Sequence, residues 1–109
     1  MATVTHGTQD VLIEMLRAIL EAYERQHPGA SATLYRKNDG PIRPGPIRIR
    51  IVDDRFKRLS KPQRHDDAWN FIADQLTDDD LQDISVLLLL SPSEQKSSLM
   101  NLEFDDPIK

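Results

Sequence analysis

The stretch Ile47-Arg48-Ile49-Arg50-Ile51 alternates apolar and charged side chains. A period of two predicts a β-strand with its isoleucines on a buried face and its arginines on a solvated face. Residues 31–37 alternate around Ala32 and Leu34, and the turn signal at 38–40 separates them from the isoleucine strand. The two segments therefore predict an antiparallel pair covered by helices on one side only.

Helical patterns precede and follow this strand pair. A first helix, capped by Thr8 or Asp10, carries apolar residues at helical spacing: Leu12, Met15, Leu16, Ile19, Leu20 and Tyr23. A second helix over residues 60–76 begins at the N-cap candidate Ser60. Its predicted core stripe is Ala68, Trp69, Ile72, Ala73 and Leu76.

The remaining pattern completes one small domain. Thr77 starts a short acidic helix, residues 84–90 form an apolar strand, and Ser91 caps a last helix ending near residue 100. We expect an α+β two-layer sandwich of order α-β-β-α-α-β-α, with a three-stranded mixed sheet and helices on one face. The predicted domain spans residues 9–100, between flexible segments at 1–8 and 101–109.

Composition limits the classes of function. The chain has no cysteine, which excludes a disulfide framework, a thiol nucleophile and a cysteine-ligated centre held by this chain alone. It shows no nucleotide-binding glycine loop and no nucleophile–base spacing, so we expect no enzyme activity. Without a signal-peptide pattern or a long apolar span, we expect a cytoplasmic protein. The sequence does not determine the oligomeric state, although it favours a monomer.

Positive charge is concentrated in residues 36–64. This window holds ten of the 14 lysines and arginines but only three of the 18 acids. A basic segment can contact phosphate or an acidic protein surface, and it can equally pair with acids of its own domain. The sequence leaves these alternatives open.

Residues 56–65, FKRLSKPQRH, resemble the BolA-like signature F-x-G-x-S-x-x-x-R-H. Phe56, Ser60, Arg64 and His65 match it in spacing, while Arg58 stands at the glycine position. The sequence Ser91-Pro-Ser-Glu resembles the T-P-x-E of that family. The resemblance covers roughly residues 10–98 and implies a type II KH-like fold.

The resemblance also implies a function. BolA-like proteins are regulatory or adaptor proteins, linked to stress responses, that dock monothiol glutaredoxins and share an iron–sulfur cluster with some of them. It places partner binding at Phe56, Ser60, Arg64 and His65, with His65 as the candidate metal ligand. Residues 38–46 lack the His or Cys that cluster-sharing members carry there, so we expect no cofactor bound by this chain alone.

The alternative is a transcriptional regulator that binds nucleic acid through the basic face of residues 43–64. Its candidate contacts are Arg43, Arg48, Arg50, Arg55, Lys57, Arg58 and Lys61. Against it, the short helix after Thr77 is acidic and would repel phosphate.

Overall fold

The computed structural model describes residues 2–7, 10–37, 45–96 and 104. Its elements are β1 (Thr3–Gly7), α1 (Val11–Gln26), β2 (Ser31–Arg36), β3 (Ile47–Val52), a 3-10 helix (Asp54–Arg58), α2 (Lys61–Ala73), α3 (Asp78–Gln82), β4 (Ile84–Leu90) and α4 (Pro92–Gln95). The turn predicted at 38–40 and the end of the last predicted helix, residues 97–100, lie outside the described residues.

The sheet has four strands in the order β1-β2-β3-β4, not the three that the sequence predicts. β1 pairs in parallel with β2, β2 is antiparallel to β3, and β3 is parallel to β4. The additional strand, Thr3–Gly7, lies in the segment predicted to be flexible. It is short and depends on pairing with β2, which is distant in the sequence, so the local pattern gives it little signal.

The core lies between one face of the sheet and the helices α1 and α2. Ile47, Ile49 and Ile51 are fully buried there, as their alternation predicts. The residues of α1 that pack against them are Ile13, Leu16, Ile19, Leu20 and Tyr23. Met15, which the sequence assigns to the same stripe, is 41% exposed on the outer side of α1.

The opposite face of the sheet is not uniformly solvated. Phe104 packs on it, edge-to-face with Tyr35 at 5.4 Å between ring centroids and 5.3 Å from the guanidinium carbon of Arg50. Tyr35, Arg50 and Phe104 are all buried. The predicted wet arginine face is therefore covered at Arg50, because a residue far along the chain folds over it.

Local signals place the helix starts correctly. Asp10, Ser60, Thr77 and Ser91 each accept a hydrogen bond from a backbone N–H of the first turn, which confirms the predicted N-caps. The second helix ends at Ala73, three residues before the predicted end.

Candidate functional site

The adjacent residues Arg64 and His65 lie in opposite environments at the start of α2. Arg64 is 6% exposed, whereas His65 is exposed to solvent. The sequence predicts a docking spot made of both side chains. In the structure only His65 is accessible to a partner, because Arg64 faces the interior of the domain.

The guanidinium of Arg64 joins three elements. Its Nε donates to the carbonyl of Leu59 at 3.1 Å, and one terminal nitrogen donates to the carbonyl of Leu89 at 3.1 Å and to Glu94 at 2.7 Å. The group also lies over the ring of Phe56, 5.8 Å from its centroid. These bonds tie α2 to the end of β4 and to α4, which is a structural role.

The carboxylate of Glu94 is correspondingly stabilised in its charged form. Hydrogen bonds from Arg64 and from the backbone N–H of Ser91 lower the pKa of Glu94 to about 2. Glu94 also closes a capping box with Ser91 at the start of α4. The two segments that carry the resemblance, residues 56–65 and 91–94, thus contact each other.

Phe56 and Ser60 also serve the fold. Phe56 is fully buried in the core cluster. Ser60 caps α2 through a capping box, accepting from the N–H of Gln63 while the Gln63 side chain accepts from the N–H of Ser60. Of the four predicted partner-binding residues, these two and Arg64 are therefore engaged within the domain.

The exposed feature of α2 is a column of side chains one helical turn apart. The ring of His65 stacks on Trp69, with centroids 5.8 Å apart and planes 17° from parallel. Lys61 precedes His65 by one turn and is exposed. We call Lys61, His65 and Trp69 the outer flank of α2.

Trp69 is half-buried and is not part of the core cluster, contrary to the sequence prediction. Ala68 and Ile72 are the α2 residues that pack in the core, as the stripe predicts. On the side toward α1, Phe71 contacts Tyr23 at 5.3 Å between centroids. Since successive residues differ by about 100° around a helix, Trp69 lies on the side away from α1.

A polar cluster that the sequence does not predict lies between α1, the 3-10 helix and α2. The hydroxyl of Tyr23 donates to Asp67 at 2.6 Å, and Arg55 donates to both the Tyr23 hydroxyl (2.9 Å) and Asp67 (3.1 Å). Arg55 also contacts Asp53 at 3.0 Å. The tyrosine and the aspartate are 44 positions apart, so no local pattern reveals the contact.

The pKa values of Tyr23 and Asp67 in this cluster are shifted in opposite directions. Burial, reinforced by the hydrogen bond to Asp67, raises the pKa of the Tyr23 hydroxyl. Burial alone would raise the pKa of Asp67, but hydrogen bonds from Tyr23 and Arg55 outweigh it and lower that pKa. Tyr23 therefore stays protonated and Asp67 stays charged, which suits a stable contact rather than proton transfer near neutral pH.

The cations predicted to form one nucleic-acid surface are divided among separate environments. Arg43 lies outside the described residues. Arg48 and Arg50 are on the sheet face, with Arg50 beneath Phe104. Arg55 belongs to the polar cluster described above.

The remaining three, Lys57, Arg58 and Lys61, are exposed around the start of α2. Within the described part of the chain, none of them forms an ion pair. Among the described cations of this set, these three are the ones exposed to solvent.

No group of three or more potential metal ligands (His, Cys, Asp or Glu) occurs in the part of the chain that the structure describes. His65, the predicted metal ligand, therefore belongs to no such group of three among these residues. Its imidazole can supply one ligand to a metal whose other ligands come from elsewhere.

Comparison of the chain with protein-family models, with curated proteins and with solved structures found no match. Across the described residues, no helix has the length and apolar character needed to cross a membrane.

Proposed function

We propose that this chain is a non-enzymatic adaptor of the BolA-like type that docks a protein partner through the outer flank of α2. The partner class that the resemblance suggests is a monothiol glutaredoxin. In this proposal His65 makes the central contact, and Arg64, Phe56 and Ser60 hold the helix that presents it.

The observation that carries the proposal is the stack of the exposed His65 on the half-buried Trp69. Large aromatic side chains that are partly accessible at a surface are typical of binding hot spots, because they offer contact area at low cost in side-chain entropy. Lys61 extends the column, and Lys57 and Arg58 lie just before it in the chain. A partner with acidic residues around an apolar contact fits this combination.

The fold assignment to the BolA-like, type II KH-like arrangement is part of the same proposal. It is supported by contacts between the residues that match the signature. The guanidinium of Arg64 lies over the ring of Phe56 and donates a hydrogen bond to Glu94 of the second matched segment. The strand β1 is then an addition to the expected order.

A shared iron–sulfur cluster would use His65 as the ligand from this chain. The accessible imidazole supports this role, and the partner would supply the other ligands. We therefore propose docking as the primary activity and cluster sharing as dependent on the partner.

Nucleic-acid binding is the competing function. The stack of His65 and Trp69 could receive a base, and the nearby cations could contact phosphate. Three observations favour a protein partner: Arg50 is covered, Arg55 is engaged by acids, and the exposed Asp78 and Asp79 at the start of α3 would repel a phosphate backbone.

The test is a titration of the isotope-labelled protein with a monothiol glutaredoxin, first without and then with its cluster, followed by amide chemical shifts. We expect shifts confined to residues 57–69. Trp69→Ala should weaken the complex about tenfold, as expected for a hot-spot residue. Arg17→Ala, on the exposed side of α1, is the matched control and should leave the affinity unchanged.

The same titration with a single-stranded oligonucleotide of mixed sequence at low salt separates the two functions. Shifts at residues 57–69 with the oligonucleotide and none with the glutaredoxin would replace the proposal by nucleic-acid binding. Silence of these residues with both probes would exclude the outer flank of α2 as the docking site.

A further inference from the structure

The most apolar strand of the chain lies at an edge of the sheet. β4, with the sequence ISVLLLL, pairs with β3 on one side, and the described residues provide no strand on its other side. Residues 86–89 are only half-buried, whereas β3 is almost entirely buried. Edge strands in natural proteins are usually protected by charges, prolines or bulges, because an apolar edge pairs readily with another strand.

The outward backbone groups of β4 can be assigned from the hydrogen bonds at its end. The carbonyl of Leu90 accepts from the N–H of Asp53 and so points toward β3. Because backbone groups alternate in direction along a strand, those of Leu87 and Leu89 point away from β3. Arg64 donates to the Leu89 carbonyl, which leaves the N–H groups of Leu87 and Leu89 and the Leu87 carbonyl at the edge.

Opposite charges flank the two ends of β4. The acidic helix α3 ends just before its first residue, and Asp78 and Asp79 are exposed there. At the other end, Leu90 bonds to the residue that caps the 3-10 helix, on which Lys57 and Arg58 are exposed. The edge is therefore acidic at its start and basic at its end.

We infer that the open edge of β4 binds a second copy of this chain through antiparallel β4–β4 pairing about a two-fold axis. Antiparallel pairing brings the acidic end of each edge next to the basic end of the other, whereas parallel pairing would juxtapose like charges. Under two-fold symmetry the β4 edges of both copies are paired in the same interface. No β4 edge is left to bind a third copy, so the assembly closes as a dimer. This differs from the monomer that the sequence favours.

The inference does not depend on the proposed docking function, since it uses the backbone of β4 rather than the side chains of α2. Other occupants of the edge fit less well. Phe104 lies on the face of the sheet over Arg50 and not along the edge. A partner helix would leave the N–H groups of Leu87 and Leu89 without acceptors.

The first test compares Leu87→Pro with Leu87→Ala by sedimentation equilibrium of the full chain. Both variants lose the leucine side chain, but only proline removes the outward N–H, and that position does not serve the β3–β4 ladder. We expect the wild type and the alanine variant to be dimers. We expect the proline variant to dissociate at least about tenfold more readily, as the loss of hydrogen bonds across the pair implies.

A wild-type chain that is monomeric at several hundred micromolar would overturn the inference, whether its edge is empty or covered by its own C-terminal residues. Equal dissociation of the two variants would overturn it as well. Growth beyond a dimer would also contradict it, because it would indicate head-to-tail pairing of β4 with the β1 edge of the next molecule.

Amide hydrogen exchange of the wild type provides a measurement that needs no substitution. The N–H groups of Leu87 and Leu89 should be protected at high protein concentration and lose protection on dilution, while that of Ile49 in β3 should not change. Exchange at Leu87 and Leu89 that is independent of concentration would contradict the inference.

A charge swap tests the antiparallel orientation. Arg58→Glu and Asp79→Lys should each weaken the dimer about threefold, as exposed ion pairs do, and the double variant should restore it. Lys37→Glu, an exposed cation at the end of β2, is the control and should have no effect. A double variant weaker than either single variant would exclude the antiparallel arrangement.

Discussion

The two sides of α2 have similar chemistry in the sequence and opposite roles in the structure. On the inner side, Arg64 and Asp67 are bonded to other elements of the domain. On the outer flank, the side chains of Lys61 and His65 are exposed and form no hydrogen bond or ion pair with another element among the described residues. The difference shows that charge in a motif does not by itself indicate a binding role, because burial and partners decide whether a side chain is available.

The largest predicted effect is a difference in stability between alanine substitutions at the neighbouring residues Arg64 and His65. Arg64→Ala leaves the Leu89 carbonyl and the Glu94 carboxylate without their donor and should lower the free energy of unfolding by about 3 kcal/mol. His65→Ala should change it by less than about 0.5 kcal/mol, as surface substitutions do. Urea denaturation of both variants measures this difference. Equal losses in the free energy of unfolding would contradict the opposite roles assigned to the two side chains.

A smaller effect is expected at the cluster between α1 and α2. Tyr23→Phe removes the hydroxyl but keeps the ring against Phe71 and leaves Arg55 bonded to Asp67. We expect a loss of about 1 kcal/mol in the free energy of unfolding. A double-mutant cycle with Asp67→Asn should show coupling between the two positions, and strict additivity would mean that their hydrogen bond does not contribute.

The smallest effect is a dependence of stability on acid pH. Because the pKa of Glu94 is about 2 in the folded protein against an ordinary value of 4.5, its contribution is complete above pH 4.5. It is lost as the pH falls from 4.5 toward 2. The difference in stability between wild type and Glu94→Gln should therefore shrink over this interval, whereas a constant difference would show that the carboxylate charge is not responsible.

Predictions from the sequence succeed where the deciding contacts are local. The alternation over residues 47–51 predicts a buried isoleucine face, and the four N-caps follow from residues within one helical turn. They fail where a distant segment decides. β1 depends on β2 for its hydrogen bonds, and Arg50 is covered by Phe104, which is 54 positions further along the chain.

The candidate site follows the same rule. The resemblance singles out His65 but cannot distinguish its exposure from the burial of Arg64, since that depends on Leu89 and Glu94 in later elements. The predicted apolar stripe of the second helix includes Trp69, but in the structure Trp69 lies on the side of α2 away from α1 and outside the core cluster. The contact between Tyr23 and Asp67 joins separate helices and has no sequence signature.

The contacts of the buried Arg36 side chain affect how the domain unfolds locally. Its guanidinium contacts Asp10 at 2.9 Å, Asp83 at 3.2 Å and the carbonyl of Gly45 at 2.9 Å. One buried side chain thus fastens the start of α1, the end of α3 and the segment leading into β3. Because these three segments are held by the same side chain, they should open in one cooperative step rather than fray separately.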